Sequence, residues 1–213
     1  MDMISVAYLF DPLCGWCYGA APVISALAQT EGLVVGLSPT GLFAFDGGRP
    51  MTADFAAYAW KNDQRIEQLT GQVFSPAYKA NVLDAEGGRF DSGVLSLALT
   101  AVALEDHRLE LAVLKGLSQH RYVEGADTAR LDVVIPWLRD HGQKHAADRL
   151  EAQDEALIHM TKERLRGGQA LMKATGARGV PALVVQRAEG LEMLDSQLLF
   201  GPPEALMSAI FDA

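Results

Sequence analysis

The chain has 213 residues, of which 49% are hydrophobic and 21% are charged, and its formal net charge is −9. This composition is typical of a folded globular protein, and the length allows one large domain or one domain with a sizeable insertion. The acidic balance argues against nucleic acid or an anionic membrane as a partner. No apolar run approaches the roughly 18 residues that a membrane-spanning helix needs.

The first residues bear on localisation. Met1, Asp2 and Met3 open a segment with no basic start and no small-residue cleavage site, so we expect no signal peptide and a cytoplasmic protein. Cys14 and Cys17 are the only cysteines in the sequence. Two cysteines are too few for a disulfide framework, and in a reducing compartment such a pair is more often catalytic or metal-binding.

The amino-terminal third predicts a strand, a helix and a second strand. Residues 4–10 form a mostly apolar run that is typical of a buried strand. Residues 15–29 carry apolar side chains at helical spacing, and residues 33–37 read as another strand. Because crossover connections are right-handed, the two strands are expected to lie parallel in one sheet.

Most of the remaining chain has a helical pattern. The predicted helices are near residues 52–69, 76–83, 93–105, 110–123, 128–142 and 145–167. Two glycines, Gly167 and Gly168, break or loosen the last of these, and residues 169–175 can continue it. After a turn come a strand at 182–186, its predicted hairpin partner at 191–194, and a closing helix at 202–211.

This order predicts an α/β protein in which the two ends of the chain build one unit around an all-helical insertion. Residues 1–50 and residues 169–213 are expected to form the two parts of that unit. Residues 51–168 are expected to form the helical insertion.

A strand, a Cys-x-x-Cys motif and a helix in succession form the setting in which two thiols make a redox couple. Residues i and i+3 of a helix are neighbours, so Cys14 and Cys17 can form and break a disulfide with little backbone movement. At the helix N-terminus, unpaired N–H groups and the helix dipole favour a Cys14 thiolate.

The segment around these cysteines resembles the active site of the DsbA-like family of thioredoxin-fold proteins, and most closely its branch of predicted cytoplasmic disulfide isomerases. The motif residues are Cys14-Gly15-Trp16-Cys17, preceded by an apolar strand and followed by Pro22 five residues after the second cysteine. The segment 176–184 resembles the family's cis-proline loop, with Val180 before Pro181. The resemblance implies a thioredoxin-like fold with an all-helical domain inserted.

The resemblance also implies roles for individual residues. Cys14, expected to be the more exposed cysteine, attacks a disulfide, and the more buried Cys17 resolves the mixed disulfide. Gly15 and Trp16 tune the thiolate, and because Trp16 carries no positive charge we predict a pKa of Cys14 depressed less than in strong oxidants of the family.

Substrate binding is expected next to these thiols. By resemblance, a cis Pro181 packs near Cys14 and leaves the Val180 backbone free to pair with an extended substrate. A set of aromatic side chains is expected to add an apolar surface for the substrate: Trp16, Tyr18, Phe43 and Phe45.

Asp11 and Arg178 each have two possible roles, and a zinc site is an alternative use of the two cysteines. Asp11, three residues before Cys14, either caps the turn or accepts a proton, and we favour capping. Arg178 either meets an anionic group or lies in solvent, and we favour solvent. Zinc normally takes four ligands and the sequence has no second cysteine pair, so a zinc site would need His141 and His145 to complete a Cys2His2 set. The two histidines are typical of a solvated helix face, so we predict no metal.

The predicted function is therefore a thiol–disulfide oxidoreductase that works as a reductase or isomerase rather than as a net oxidant. It would need no cofactor beyond the Cys14–Cys17 couple, with glutathione as a candidate co-substrate, and its partners would be protein or small-molecule disulfides. One alternative is a glutathione-dependent transferase or isomerase of the kappa-class type, and a second is a non-catalytic interaction module on a redox fold.

Overall fold

The computed structural model describes residues 3–211. Its strands are β1 (Ile4–Phe10), β2 (Leu33–Pro39), β3 (Arg49–Pro50), β4 (Arg89–Phe90), β5 (Ala182–Arg187) and β6 (Gly190–Met193). Its helices are α1 (Gly15–Leu27), α2 (Ala53–Thr70), α3 (Pro76–Tyr78), α4 (Gly93–Asp106), α5 (Glu110–Tyr122), α6 (Leu131–Asp140), α7 (Lys144–Ala152), α8 (Glu155–Thr175) and α9 (Pro203–Phe211). Shorter turns of 3-10 or π helix lie at Phe45–Gly47, Lys79–Leu83, His107–Leu109 and Ser196–Phe200.

A four-stranded sheet with the order β2-β1-β5-β6 forms the centre of the molecule. β1 lies parallel to β2, in a register that pairs Ile4 with Leu33, and antiparallel to β5. β5 and β6 form the predicted hairpin. The strands of the sheet lie where the sequence predicts them, and the parallel first pair is confirmed. Because β1 is an inner strand covered on both faces, it is apolar almost throughout.

The helices α2 to α8 lie in sequence between β2 and β5 and pack on the sheet through a shared core. The largest cluster of buried side chains joins Val6 and Val185 of the sheet to Leu95, Val134 and Leu150 of the helices. A second, aromatic cluster packs beside α1 and contains Tyr18, Phe74, Tyr78 and Tyr122. The structure thus has the predicted fold class, an α/β sheet with a large helical segment.

One predicted helix, at 145–167, is wrong in extent. The structure has two helices there, α7 and α8, because Gln153 adopts a left-handed conformation with φ 46° and Asp154 caps the next helix by accepting from Leu157 N at 2.8 Å. The helix α8 then continues through Gly167 and Gly168 to Thr175.

Gly168 is a packing glycine rather than a helix breaker. A side chain at this position would collide with the backbone of Pro39 at the end of β2. The glycine therefore lets α8 approach the sheet closely. The helix crosses residue 168 without a break, and the three-part division of the chain at residues 50 and 168 stays a prediction.

Between residues 3 and 211, none of the helices combines the length and the apolar character needed to cross a bilayer.

Candidate active site

The two cysteines lie at the junction of β1 and α1. Cys14 is the residue before the first turn of α1, with φ −76° and ψ 116°, and Cys17 lies inside that turn. The Cys14 N–H donates to Asp11 O at 3.0 Å, and the Tyr18 N–H donates to Cys14 O at 3.0 Å. Both cysteines are free thiols. The sequence motif therefore lies at a helix N-terminus, as its spacing predicts.

The two thiols differ in environment and not in overall exposure. Each residue has 7% of its surface exposed, so the expectation that Cys14 is the more exposed cysteine is wrong. Burial raises the pKa of the Cys17 thiol well above its ordinary value, the neighbouring Cys14 raises it further, and a hydrogen bond from the Asp11 backbone opposes the rise. Cys17 therefore stays protonated at neutral pH in this state, because a desolvated thiolate is costly.

The loop before β5 closes over Cys14. The Val180–Pro181 peptide bond is cis, which confirms the expectation for this loop. The Cys14 thiol lies 3.6 Å from Val180 O and donates to it, although the two residues are 166 positions apart. The fold thus brings the predicted catalytic and substrate-binding segments into contact.

An open groove of about 850 Å³ runs beside this contact. Trp16 forms part of its wall, with the guanidinium of Arg65 5.9 Å from the Trp16 ring and the Phe200 ring 5.2 Å away. The loop that carries Val180 and Pro181 forms another part. The remaining wall residues come from α2, the loop before β5, the first residue of β5, the last residue of β6 and the segment after it: Leu69, Gly176, Ala177, Arg178, Gly179, Ala182, Met193, Leu194, Asp195, Ser196, Gln197 and Gly201.

The predicted apolar surface of four aromatic side chains is wrong for three of them. Tyr18 is 5% exposed and stacks on Tyr122 at 4.6 Å, on the side of α1 that faces the helices. Phe43 packs against Phe90 at 4.9 Å, and Phe45 lies in a separate turn. Only Trp16 lines the groove, because it projects from a different side of α1 than Tyr18.

Asp11 is fully buried and holds the active-site turn in place. One carboxylate oxygen accepts from Leu13 N at 3.0 Å, and the other accepts from Phe43 N at 3.0 Å and from Ser92 Oγ at 2.9 Å. Burial raises the pKa of Asp11, and these three hydrogen bonds oppose the rise. These hydrogen bonds match the capping interpretation. The same carboxylate also binds the loop after β2 and the residue before α4.

Two tyrosines that sequence analysis did not single out also contact the motif. Tyr8 of β1 donates through its hydroxyl to Cys17 O at 3.3 Å, and burial with the two nearby thiols raises its pKa. Tyr122 of α5 donates to Leu13 O at 2.8 Å. Tyr8 lies on the same face of β1 as Val6 and Phe10. The alternation of side chains along the strand could therefore have predicted that Tyr8 faces the core. Tyr122 is 109 residues from its partner, and no local pattern indicates it.

Asp63 of α2 is a buried carboxyl group packed against Gly15. A methyl group at Gly15 would lie 2.6 Å from Asp63 Oδ1 and 3.3 Å from Ile66. The Tyr78 hydroxyl lies 3.3 Å from Asp63 Oδ2, and burial raises the pKa of Asp63 to about 7, against the opposing effects of this bond and of Arg121. Gly15 is therefore the motif residue that lets α2 pack on the start of α1.

The zinc alternative finds no support. His141 stacks on Trp137 with ring centroids 3.9 Å apart, and its Nδ1 lies 2.7 Å from Trp137 O. In the part of the chain that the structure describes, no cluster of three or more His, Cys, Asp and Glu side chains is arranged to hold a metal ion.

Comparisons with known proteins agree with this geometry. The cytosolic disulfide reductase DsbM from Pseudomonas aeruginosa is similar at 30% identity and a TM-score of 0.85, over 98% of this chain and 100% of that one. A structure of DsbM with GSH gives 30% identity and a TM-score of 0.82 over the same shares. Oxidoreductase DsbA from Xylella fastidiosa shares the fold at 14% identity and a TM-score of 0.56, over 100% of this chain and 88% of that one. No protein-family model and no curated protein matches the chain.

The fold and the paired thiols define an enzyme of the thiol–disulfide oxidoreductase class. The identity to DsbM extends over nearly the full length of both chains. The chain belongs to the DsbA-like family of thiol–disulfide oxidoreductases.

Proposed function

We propose that this protein reduces disulfides, with Cys14 as the nucleophile and Cys17 as the resolving thiol. The observation that carries the proposal is the dithiol at the N-terminus of α1, in contact with the carbonyl of Val180. The full-length similarity to a protein described as a cytosolic disulfide reductase supports the reductive direction and a cytoplasmic location.

The reaction proceeds in two exchange steps. The Cys14 thiolate attacks one sulfur of the substrate disulfide, which forms a mixed disulfide and releases one substrate thiolate. Cys17 then loses its proton and attacks the Cys14 sulfur, which forms the Cys14–Cys17 disulfide and releases the second thiolate. The two electrons come from the dithiol, and the two thiol protons end on the two product thiols.

The environment of the motif favours a reducing couple. A dithiol whose attacking thiolate is less stabilised forms a disulfide that is a weaker oxidant. Trp16 adds no charge of its own between the cysteines. Gly15 and Trp16 therefore act as the residues that tune this couple, as proposed from the motif.

The substrate is proposed to lie along Val180 and Pro181. Within residues 3–211 the Val180 N–H makes no hydrogen bond to another backbone group, and both residues line the groove beside Cys14. This arrangement allows a short strand-like pairing with the peptide part of a disulfide. The relative's structure with GSH supports glutathione as a co-substrate, two molecules of which would reduce the Cys14–Cys17 disulfide and leave as glutathione disulfide.

The test is disulfide reduction by Cys14→Ser and Cys17→Ala. We expect Cys14→Ser to lose at least 100-fold in rate, and Cys17→Ala to accumulate a mixed disulfide visible by mass spectrometry, with both variants retaining the wild-type circular dichroism spectrum. Reduction at the wild-type rate by Cys14→Ser would refute the proposal. Saturable glutathione-dependent turnover that survives Cys17→Ala would instead favour a transferase.

A further inference from the structure

The groove beside Trp16 contains two arginines that come from different parts of the chain. Arg65 projects from α2, and Arg178 lies in the loop before the cis-proline. Both residues are exposed. Neither takes part in an ion pair with any residue between 3 and 211. Two guanidinium groups are therefore available to a ligand in the groove.

The charge of the groove is opposite in sign to that of the whole protein. The chain has a net charge of −9, yet the charged residues that line the groove are Arg65, Arg178 and a single acid, Asp195. One carboxylate oxygen of Asp195 is engaged, since it accepts from Gln197 N at 2.9 Å at the start of a short helical turn. A positive groove in an acidic protein selects anionic ligands from solution.

Both arginines belong to walls that adjoin the reacting sulfur. The Arg65 guanidinium lies 5.9 Å from the ring of Trp16, the residue between the two cysteines. Arg178 lies two residues before Val180, whose carbonyl contacts the Cys14 thiol at 3.6 Å. A ligand whose sulfur reaches Cys14 from the groove therefore lies close to both walls.

We propose that Arg65 and Arg178 are specificity-determining residues that bind the carboxylates of a small anionic thiol or disulfide, with glutathione and its disulfide as the fitting chemistry. Guanidinium groups bind carboxylates with two parallel hydrogen bonds, which gives both orientation and affinity. The volume of about 850 Å³ lies within the range of small-molecule sites. This inference rests on the proposed disulfide exchange at Cys14 and adds the residues that recognise the carboxylates of the substrate.

The experiment compares three disulfides that differ in charge. The dithiol form of the protein is mixed with glutathione disulfide, neutral hydroxyethyl disulfide or cationic cystamine, and its single-turnover oxidation is followed by tryptophan fluorescence. We expect Arg65→Gln and Arg178→Gln each to slow the reaction with glutathione disulfide about fivefold, with less than a twofold change for hydroxyethyl disulfide. Arg65→Lys should recover part of the loss, because it keeps the charge but not the planar donor pair.

Arg166→Gln is the matched control, because Arg166 is exposed on α8, pairs with Glu163 and does not line the groove. It should react with all three disulfides at the wild-type rates. If both groove variants keep the wild-type preference among the three disulfides, the inference is wrong while disulfide exchange stands. If the wild-type dithiol is oxidised by none of the three, the proposed function itself fails.

Discussion

At the scale of single residues, Gly15 is required by packing as well as by the motif. A methyl group at this position would meet the buried Asp63 carboxyl at 2.6 Å and Ile66 at 3.3 Å. We expect Gly15→Ala to lower the free energy of unfolding by about 1–3 kcal/mol, since overpacking forces buried groups to move. Urea denaturation measures this loss.

Gly167→Ala is the matched control, since this helix glycine of α8 has no atom near its position that a methyl group would meet. It should stabilise the protein by up to about 1 kcal/mol, the gain of alanine over glycine in a helix. Equal effects of the two substitutions would contradict the packing role of Gly15.

Asp63 should make stability depend on pH near neutrality. Its pKa is raised to about 7 by burial, whereas an unfolded aspartate titrates near 3.9, so the folded state holds the proton over the intervening range. The stability that Asp63 contributes is fully present below about pH 4 and is lost as the pH rises to about 7.

We therefore expect Asp63→Asn to reduce the fall in melting temperature between pH 5 and pH 8. The fall should not disappear, because burial also raises the pKa values of Asp11 and Glu110. Asp54→Asn, an exposed substitution on the same helix, should leave the slope unchanged. An unchanged slope in Asp63→Asn would show that this carboxyl is ionised throughout that range.

At the scale of elements, Asp11 ties three segments together. Its carboxylate joins the β1–α1 turn to the loop after β2 through Phe43 N and to the start of α4 through Ser92 Oγ. Asp11→Ala would leave these buried donors without their acceptor, so we expect a loss of about 2–4 kcal/mol in unfolding free energy. Ser92→Ala removes one donor only and should cost about 1 kcal/mol.

Chemical denaturation of both variants measures the difference between them. If Asp11→Ala costs no more than Ser92→Ala, the two backbone bonds of Asp11 contribute nothing and the role assigned to this side chain is wrong.

The elements also show where sequence patterns succeed. The apolar run at β1 and the two hairpin strands lie in the structure as predicted, because strand patterns depend mainly on which side chains are buried. The helix predicted at 145–167 was wrong at both ends of α8. Gln153 adopts a left-handed conformation and Asp154 caps a new helix, whereas Gly168 continues the helix because it packs against Pro39, a residue distant in sequence.

At the scale of the whole molecule, the sheet and the helical segment share one core. The main buried cluster joins Val6 and Val185 of the sheet to Leu95 and Val134 of the helices, and α8 runs from the helices to the loop before β5. We expect a single cooperative unfolding transition in which tryptophan fluorescence and far-ultraviolet circular dichroism coincide.

Single-tryptophan variants that retain either Trp16 beside the sheet or Trp137 in α6 separate the two regions. Coincident transitions in both are expected. Two separated transitions would show instead that residues 51–168 unfold as an independent domain.

The sequence by itself determined the four strands of the central sheet, most of the helices, the dithiol motif and the resemblance that points to the cis-proline loop. These features are local, since each depends on burial patterns or on residues a few positions apart. The tertiary structure alone decided that Trp16, and not Tyr18, Phe43 or Phe45, lines the groove. It also decided which distant side chains complete the site: Asp63, Tyr122, Arg65 and Arg178. Contacts between helices and loops far apart in the chain leave no periodic signal, so only the packed molecule reveals them.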